Sequence, residues 1–385
     1  MKLQRIAILT NGFYPYDIGG VQKHSYYLAK YFAIEKITVD IYHPGLSRDK
    51  DFIIEDYFDV EELCYLNFIE TPFPKLLKFP GHYVYASYLY SKSLFIKLKK
   101  GEKYNCIYAQ GFTSWYLLRN NAFREQLVTN LHGLNMFQKS INIKNLIELF
   151  ILRIPAKEII QKSRKQVSLG GKLTDILHSV GAKKSSVIVL PNGVDRSWIE
   201  HSSFLSNVTT SKKLRLVYVG RYERLKGIEE FQEVINSTID LLDYEVQFIG
   251  PIPIEKQLKH ANVNYLGAIY QSDEIRKVLL DSDVLVCPSY SEGMPTVILE
   301  AMACGCAIIA TDVGATNTMV NYKNGWLIKE DIVTGLYNAI NEALILNESQ
   351  MRLMKKASVT RVLNHFTWNK IINKTILALK ENLIV

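Results

Sequence analysis

The amino-acid sequence predicts an α/β protein with two doubly wound parallel sheets, one in each half of the 385-residue chain. Three observations predict this class. Short apolar segments alternate with helical segments in both halves, as in βαβ units. A polar stretch at residues 196–213 separates the two series and is the predicted linker. The length is sufficient for two domains that each have their own core.

The first half begins with a predicted strand at residues 5–10, a helix at 21–32 and a second strand at 38–43. Further strands are predicted at residues 104–110, 126–132, 166–169 and 187–190. Basic helical sequence surrounds residues 146–165. Residues 75–100 interleave Lys with Tyr and Phe, which predicts a cationic helix with aromatic side chains along one side.

The second half has predicted strands at residues 214–220, 245–250, 263–267, 283–289 and 307–311. A helix is predicted from residue 227, and another follows Met294-Pro295 and stops at Gly305, since Pro favours helix starts and Gly favours helix ends. The last helix is predicted at residues 368–383. The pattern is therefore that of two similar domains in succession.

Composition excludes several classes of protein. Apolar residues make up 48% and charged residues 22%, which is typical of a soluble globular chain. Five cysteines give no disulfide framework, and the Cys304/Cys306 pair lacks the further ligands of a zinc site. We find neither a signal peptide nor the roughly 18 apolar residues of a membrane span. A cytoplasmic location is expected.

The net charge of +8 is concentrated in one region. Residues 72–184 hold 19 Lys and Arg residues against 5 Asp and Glu residues. The region could contact an anionic membrane, or its helix could pack on the domain with solvated lysines. Nucleic acid is disfavoured because no recognition motif accompanies the charge.

The window from Glu292 to Glu300 is the most informative segment, since it reads as a loop and a helix between two strands. The free N–H groups near Thr296 and Val297 would point past the carboxyl ends of parallel strands, where a diphosphate is favoured. Carboxylates accept hydrogen bonds from hydroxyls, so the two Glu residues suit a diphosphate with a sugar on each side. The alternative is a solvated loop Glu and an ordinary helix Glu.

Further motifs occur in order along the chain: Asn11-Gly-Phe-Tyr-Pro-Tyr-Asp-Ile-Gly-Gly-Val21, Leu131-His-Gly133, Pro191-Asn-Gly-Val-Asp195 and Val219-Gly-Arg-Tyr-Glu-Arg-Leu-Lys-Gly227. With the Glu292 window they make the chain resemble the family 4 retaining glycosyltransferases. That resemblance implies the GT-B fold, with two Rossmann-like domains facing across a cleft. It also implies a nucleotide-sugar donor and no metal. The expected domains are residues 1–196, residues 197–367 and a helix at 368–385 that crosses back to the first domain.

The resemblance also assigns site residues. Fixed cations can stabilise a departing diphosphate, which is the expected role of Arg221 and Lys226, whereas Arg224 is expected to be a surface residue. His132 is expected to orient the donor sugar and Glu292 to bind it, and these four form the expected catalytic set. The expected donor-binding set is Gly19, Gly20, Asn192, Arg221, Lys226, Gly267, Glu292, Gly293, Met294, Pro295, Thr296, Val297 and Glu300.

The expected reaction moves a hexose-type unit from a UDP- or GDP-sugar to a hydroxyl of a glycan or lipid-linked acceptor. Analogy suggests bacterial surface polysaccharide synthesis, with peripheral contact at the inner face of the plasma membrane. One alternative is a nucleotide-sugar epimerase of similar shape, and another is a non-catalytic protein that binds sugar nucleotides or glycans. The intact Arg221, Lys226, Glu292 and Glu300 argue against the latter.

Overall fold

A computed structural model describes residues 3–17, 19–45, 53–77, 79–139, 143–199 and 213–382. Most of the predicted linker at residues 196–213, and Ile18 of the Gly19-Gly20 turn, lie outside the described residues. The chain forms two compact units. The first comprises residues 1–192 and 368–385, and the second comprises residues 193–367.

The first unit contains a seven-stranded parallel sheet. Its strands are β1 (Arg5–Leu9), β2 (Thr38–His43), β3 (Leu66–Glu70), β4 (Cys106–Gln110), β5 (Leu127–Asn130), β6 (Lys165–Ser168) and β7 (Val187–Val189). The helices between them are α1 (Gly20–Ile34), α2 (Val60–Leu63), α3 (His82–Lys100), α4 (Trp115–Arg119), α5 (Ile143–Lys162) and α6 (Lys172–Val180). The strand order is β3-β2-β1-β4-β5-β6-β7, so the chain changes direction between β1 and β4. In open α/β sheets, ligands bind at such a point.

The second unit repeats this plan with six parallel strands. They are β8 (Leu214–Val219), β9 (Tyr244–Ile249), β10 (Val263–Tyr265), β11 (Val284–Cys287), β12 (Ala307–Thr311) and β13 (Gly325–Ile328). The helices are α7 (Ile228–Thr238), α8 (Ser272–Asp281), α9 (Thr296–Ala303), α10 (Thr316–Met319), α11 (Ile332–Ile345) and α12 (Glu348–His365). The order is β10-β9-β8-β11-β12-β13, which places the change of direction between β8 and β11. The predicted class, two parallel-sheet α/β units, is confirmed.

The last helix, α13 (Trp368–Asn382), belongs to the first unit. Its first residue is 2% exposed, and its ring stacks on those of Tyr27 and Tyr31 from α1 at centroid distances of 5.6 and 6.0 Å. Ile371 and Ile372 continue the same buried face. Burial of a Trp and two Ile side chains holds this helix on the sheet's helical layer.

Several predicted elements have different bounds in the structure, and for two of them the backbone shows a local reason. The helix predicted from residue 75 begins at His82, because Pro80 and Gly81 interrupt the helical pattern, and Gly81 has a φ of +85°. The strand predicted to reach residue 132 ends at Asn130. His132 itself has a φ of +56°, which is incompatible with a strand.

Candidate active site

In the second unit, a glycine sets the path of the loop between β8 and α7. Gly227 has a φ of +66°, and a Cβ built on it would lie 2.0 Å from the carbonyl oxygen of Pro288. Pro288 follows β11, so the two loops touch at backbone distance. Any larger residue would push them apart, and glycine is the residue that permits both the left-handed φ and the contact. This contact brings Lys226 beside the loop that carries Glu292.

Lys226 and Glu292 form an ion pair in which Nζ and Oε1 are 2.7 Å apart. The buried Ser289 also donates to Glu292 Oε1, at 2.8 Å. The two charged side chains are 31% and 12% exposed, respectively. Burial lowers the pKa of the Lys226 amine, but the negative charge of Glu292 and its hydrogen bond outweigh burial, so the net pKa is raised. A cation is thus held in a partly buried position at the carboxyl edge of the sheet.

The two arginines of this loop have different partners. Arg221 is 70% exposed and pairs with Glu223 at 3.1 Å. Arg224, expected at the surface, is 40% exposed and forms an ion pair with the buried Glu230. Its guanidinium also lies 4.9 Å from the ring centroid of Tyr290. The structure therefore brings Lys226, but not Arg221, into contact with Glu292, and it gives Arg224 a role in joining the loops.

Tyr290 completes this join. Its hydroxyl donates to Glu230 Oε1 at 2.6 Å, and its backbone N–H donates to the carbonyl of Leu225 at 2.9 Å. The residue thus connects the loop after β11 to the loop after β8 through both its backbone and its side chain. The sequence contained no signal for this arrangement, because the partners are 60 or more positions apart.

Beyond Glu292, the chain passes through Gly293 and the buried Met294, and Pro295 precedes the first turn of α9. Thr296 and Val297 are the first two residues of that helix, as predicted. Glu300 lies one turn further and is only 8% exposed. The helix ends before Gly305, whose φ of +86° suits the predicted helix end.

A third loop supports Gly293, and sequence reasoning missed it. Gly314, after β12, has a φ of +54°, and a Cβ there would lie 2.3 Å from the carbonyl oxygens of both Glu292 and Gly293. The N–H of Ala315 donates to the Gly293 carbonyl at 2.8 Å. The backbone that carries Glu292 is thus packed directly against the loop after β12.

Glycines also join the loops at the other side of this edge. A Cβ on Gly250 would lie 1.9 Å from the carbonyl oxygen of Gly220, and the Gly250 N–H donates to the Gly267 carbonyl at 2.8 Å. Gly267 is exposed, with no heavy atom within 4 Å of its Cβ position. The loops after β8, β9 and β10 therefore lie side by side, and an uncovered backbone surface remains at Gly267.

In the first unit, the predicted residues lie around the carboxyl edge near β1. Gly19 precedes α1 and Gly20 is its first residue, with nothing within 4 Å of its Cβ position. Asn192 is 4% exposed, and its Oδ1 lies 3.0 Å from Nδ1 of His24 in α1. The buried amide of Asn192 therefore contacts a histidine that the sequence analysis did not single out. Burial lowers the pKa of His24 to about 4.

His132 lies in the same cluster of polar side chains. Its Nε2 is 3.0 Å from Oε1 of Gln110, and its ring meets that of His24 edge-on at 5.0 Å. Burial, with a smaller contribution from His24, holds the pKa of His132 well below its ordinary value. The Gln110 amide nitrogen is buried and has no hydrogen-bond partner within the described ranges. The cluster thus favours neutral imidazole rings.

No group of three or more His, Cys, Asp or Glu side chains with the arrangement of a metal site occurs among the residues described. None of the helices within the described ranges combines the length and the apolar character that crossing a membrane requires.

Comparison with known proteins identifies the family. The family model described as Glycosyltransferase Family 4 matches residues 18–198, and that described as Glycosyl transferases group 1 matches residues 213–345. A putative teichuronic acid biosynthesis glycosyltransferase, TuaC of Bacillus subtilis, is 36% identical over 163 residues, which is 40% of each chain. An N,N'-diacetylbacillosaminyl-diphospho-undecaprenol alpha-1,3-N-acetylgalactosaminyltransferase of Campylobacter jejuni is 25% identical over 58% of this chain and 62% of its own length. The matches thus span less than two thirds of either relative.

Solved structures extend the comparison to nearly the whole chain. Sucrose-phosphate synthase from Thermosynechococcus elongatus superposes with a TM-score of 0.78 at 18% identity, covering 98% of both chains. Anabaena HepE in complex with UDP and glucose superposes with a TM-score of 0.67 at 16% identity, covering 98% of this chain and 100% of its own. These superpositions show that the chain shares its fold with these proteins, and the two family models show that it is related to glycosyltransferases. The chain belongs to the family 4 glycosyltransferases, with two parallel-sheet units of the GT-B class.

Proposed function

We propose that this protein is a retaining, metal-independent glycosyltransferase. It moves a hexose-type sugar from a UDP- or GDP-sugar to a hydroxyl of a glycan or lipid-linked acceptor. Support comes from family membership and from the C. jejuni relative, whose name specifies a diphospho-undecaprenol acceptor. The HepE structure with UDP and glucose supports a nucleotide-sugar donor. The names of both relatives support a place in surface polysaccharide or lipid-linked glycan synthesis. The proposal places this synthesis at the inner face of the plasma membrane.

The observation that carries the proposal is the Lys226–Glu292 pair. A partly buried amine with a raised pKa stays charged at neutral pH. This amine lies at the carboxyl edge of a parallel sheet, where its positive charge can stabilise the negative charge that develops on a departing diphosphate. Arg221 is 70% exposed, so it is available to join Lys226 when a donor binds.

The remaining donor contacts follow from the order of residues along the loop. The sugar hydroxyls bind to Glu292, Gly293 and Met294. The diphosphate accepts hydrogen bonds from the N–H groups of Thr296 and Val297 at the start of α9. Glu300, one turn into the helix, accepts from the ribose. Pro295 holds the loop in the extended conformation that precedes the helix, and Gly267 offers open backbone to the base.

In the first unit, Gly19 and Gly20 let backbone approach the phosphates and acceptor, and His132 orients the sugar. Asn192 acts through His24, which it contacts at 3.0 Å. In the reaction, the bond from the sugar's anomeric carbon to the diphosphate breaks and a bond to the acceptor oxygen forms on the same face. The acceptor's proton passes to the departing diphosphate. The protein contributes position and fixed charge.

The decisive experiment combines a donor screen with variants of the pair. Nucleotide release from UDP- and GDP-sugars is measured with and without glycan or lipid-linked acceptors. Lys226→Ala is expected to lower turnover by roughly 10²–10³-fold, whereas Lys356→Ala, at an exposed helical site, leaves it unchanged. Near-normal turnover in Lys226→Ala would remove this residue from the site.

A double variant separates chemistry from folding. Lys226→Met/Glu292→Gln removes both charges, so no buried charge is left unpaired. We expect thermal stability close to that of the parent and turnover as low as in Lys226→Ala. Acceptor-independent release of free UDP would instead indicate the epimerase, and donor binding without any turnover would indicate a binding protein.

A further inference from the structure

The first unit exposes a set of large apolar side chains on two neighbouring segments. We call this set the apolar patch. Its members are Leu77, Phe79, Tyr83, Tyr85, Leu146, Ile147, Phe150 and Ile154. Each is at least 43% exposed, and Leu77 is 90% exposed. Single exposed apolar residues are ordinary, but a contiguous group marks a surface that contacts another apolar phase.

The two segments touch, which makes the patch continuous. The Cβ position of Gly81, between Phe79 and Tyr83, lies 3.6 Å from Cγ2 of Ile151 in α5. Ile147 and Ile154 lie one turn before and one turn after Ile151, so they flank the point of contact.

Helix α5 has apolar residues on two sides. Ala156 and Ile159 are fully buried in the core of the first unit, and Leu152 packs against that core. Phe150 and Ile154 are also apolar, but they are exposed and therefore do not contribute to the core. A helix that only packed on its domain would carry polar residues at such positions.

The charges beside the patch match an anionic surface. Residues 71–85 contain no Asp or Glu. Lys75 and Lys157 are exposed in the two segments, and Lys139 is exposed shortly before α5. Glu148 is the exposed acidic residue of α5, whereas Glu158 is engaged by Arg119, Trp115 and Lys162. Lysines beside exposed apolar groups are typical of proteins that lie on anionic bilayers.

The patch adjoins the ligand-binding edge of its own sheet. The Tyr83 hydroxyl accepts from Nδ2 of Asn11, which follows β1, at 3.3 Å. The Tyr83 ring lies 6.4 Å from that of Phe112, which follows β4. A surface in contact with the patch would therefore lie beside the carboxyl ends of the two strands where the chain changes direction.

We propose that the apolar patch inserts into the interface of an anionic phospholipid bilayer. Insertion places the carboxyl edge of the first sheet at the depth of a lipid headgroup. Insertion would present a lipid-linked acceptor to this edge, and this consequence for catalysis rests on the proposed function. The insertion itself is independent of the proposed function. Burial of apolar side chains, rather than charge alone, supplies the attachment, so binding survives high salt.

Vesicle flotation of the full chain tests the proposal. Vesicles of phosphatidylglycerol and phosphatidylcholine are compared with phosphatidylcholine alone, at low salt and at about 1 M salt, where the Debye length falls to about 3 Å. We expect weaker binding at high salt but not its loss. Ile147→Ser/Phe150→Ser should reduce binding about tenfold or more at both salt concentrations, because each exposed apolar side chain removed lowers partitioning.

A matched control uses apolar residues elsewhere that are even more exposed than Ile147 and Phe150. Leu241 and Ile345 in the second unit are 80% and 81% exposed, and Leu241→Ser/Ile345→Ser should bind vesicles as the parent does. In a separate measurement, Phe150→Trp should show a blue-shifted emission relative to the parent on mixing with vesicles. All four variant positions are exposed, so circular dichroism is expected to show unchanged folding.

The proposal would be overturned by complete loss of parent binding at high salt, by undiminished binding of Ile147→Ser/Phe150→Ser, or by a patch-dependent dimer that does not bind vesicles. Nucleotide release with a short, water-soluble acceptor is measured in parallel. Absence of turnover in the parent with intact flotation would reject the proposed function and leave the patch in place. Normal turnover without flotation would reject membrane insertion of the apolar patch and leave the proposed function in place.

Discussion

Replacing Gly314 by Ala tests whether the loop after β12 holds the candidate donor site in place. The new Cβ would lie 2.3 Å from the carbonyl oxygens of Glu292 and Gly293. Carbon and oxygen atoms normally stay about 3.3 Å apart, so the loop bearing Glu292 must move by about 1 Å. A displacement of that size at a reacting centre can lower the rate by about 10²-fold.

The same change also affects stability. Alanine at a φ of +54° costs about 1–2 kcal/mol in backbone conformation, and the overlap adds about 1–3 kcal/mol. Gly111→Ala separates the two contributions, because Gly111 has a φ of +57° and no heavy atom within 4 Å of its Cβ position. It should show the conformational cost alone.

The measurements are denaturant unfolding of both variants and the kcat and KM for the donor identified by the screen. We expect Gly314→Ala to be the less stable of the two, with donor turnover reduced about 10²-fold. Equal destabilisation of the two variants, together with parent-like donor kinetics in Gly314→Ala, would refute the view that this loop positions Glu292.

Three further predictions concern buried polar groups. Glu300→Ala should weaken UDP or GDP binding roughly 10–100-fold through the lost ribose contact, and unchanged affinity by calorimetry would contradict that role. Tyr290→Phe should cost about 1–2 kcal/mol of unfolding free energy, since Glu230 loses a 2.6 Å hydrogen bond, while Tyr322→Phe, at an 83% exposed site, should cost nothing measurable. His24 has a pKa of about 4 in the folded protein against 6.5 unfolded, so the unfolded chain binds more protons between these values and stability should fall by about 3 kcal/mol as pH drops from about 6.5 to about 4. His24→Gln should flatten the unfolding curve in that window, and an unchanged slope would exclude this histidine as a cause.

Local sequence signals predicted much of the fold. Alternating apolar segments located the strands, and the Pro295 and Gly305 pair located the bounds of α9. The same kind of signal was available at Pro80 and Gly81, where the helix was nevertheless predicted to begin too early. Such signals work because they act within one turn of the chain.

The candidate site could be predicted only in part. The resemblance singled out Lys226 and Glu292, and the structure places their charged atoms 2.7 Å apart. It did not single out Gly314, which supports the Glu292 loop, or His24, whose partner Asn192 is 168 positions away. No periodicity or spacing in a single sequence records contacts between such distant residues.

The sequence alone determined the two α/β units, the order of their elements and the residue types at the carboxyl edges, because backbone propensities and glycine or proline geometry act between near neighbours. Folding of each unit decided which side chains meet. It paired Lys226 with Glu292 while Arg221 paired with Glu223, and it left one apolar side of α5 exposed. The physical reason is that close packing and buried electrostatic interactions depend on distances that exist only after the strands are assembled side by side.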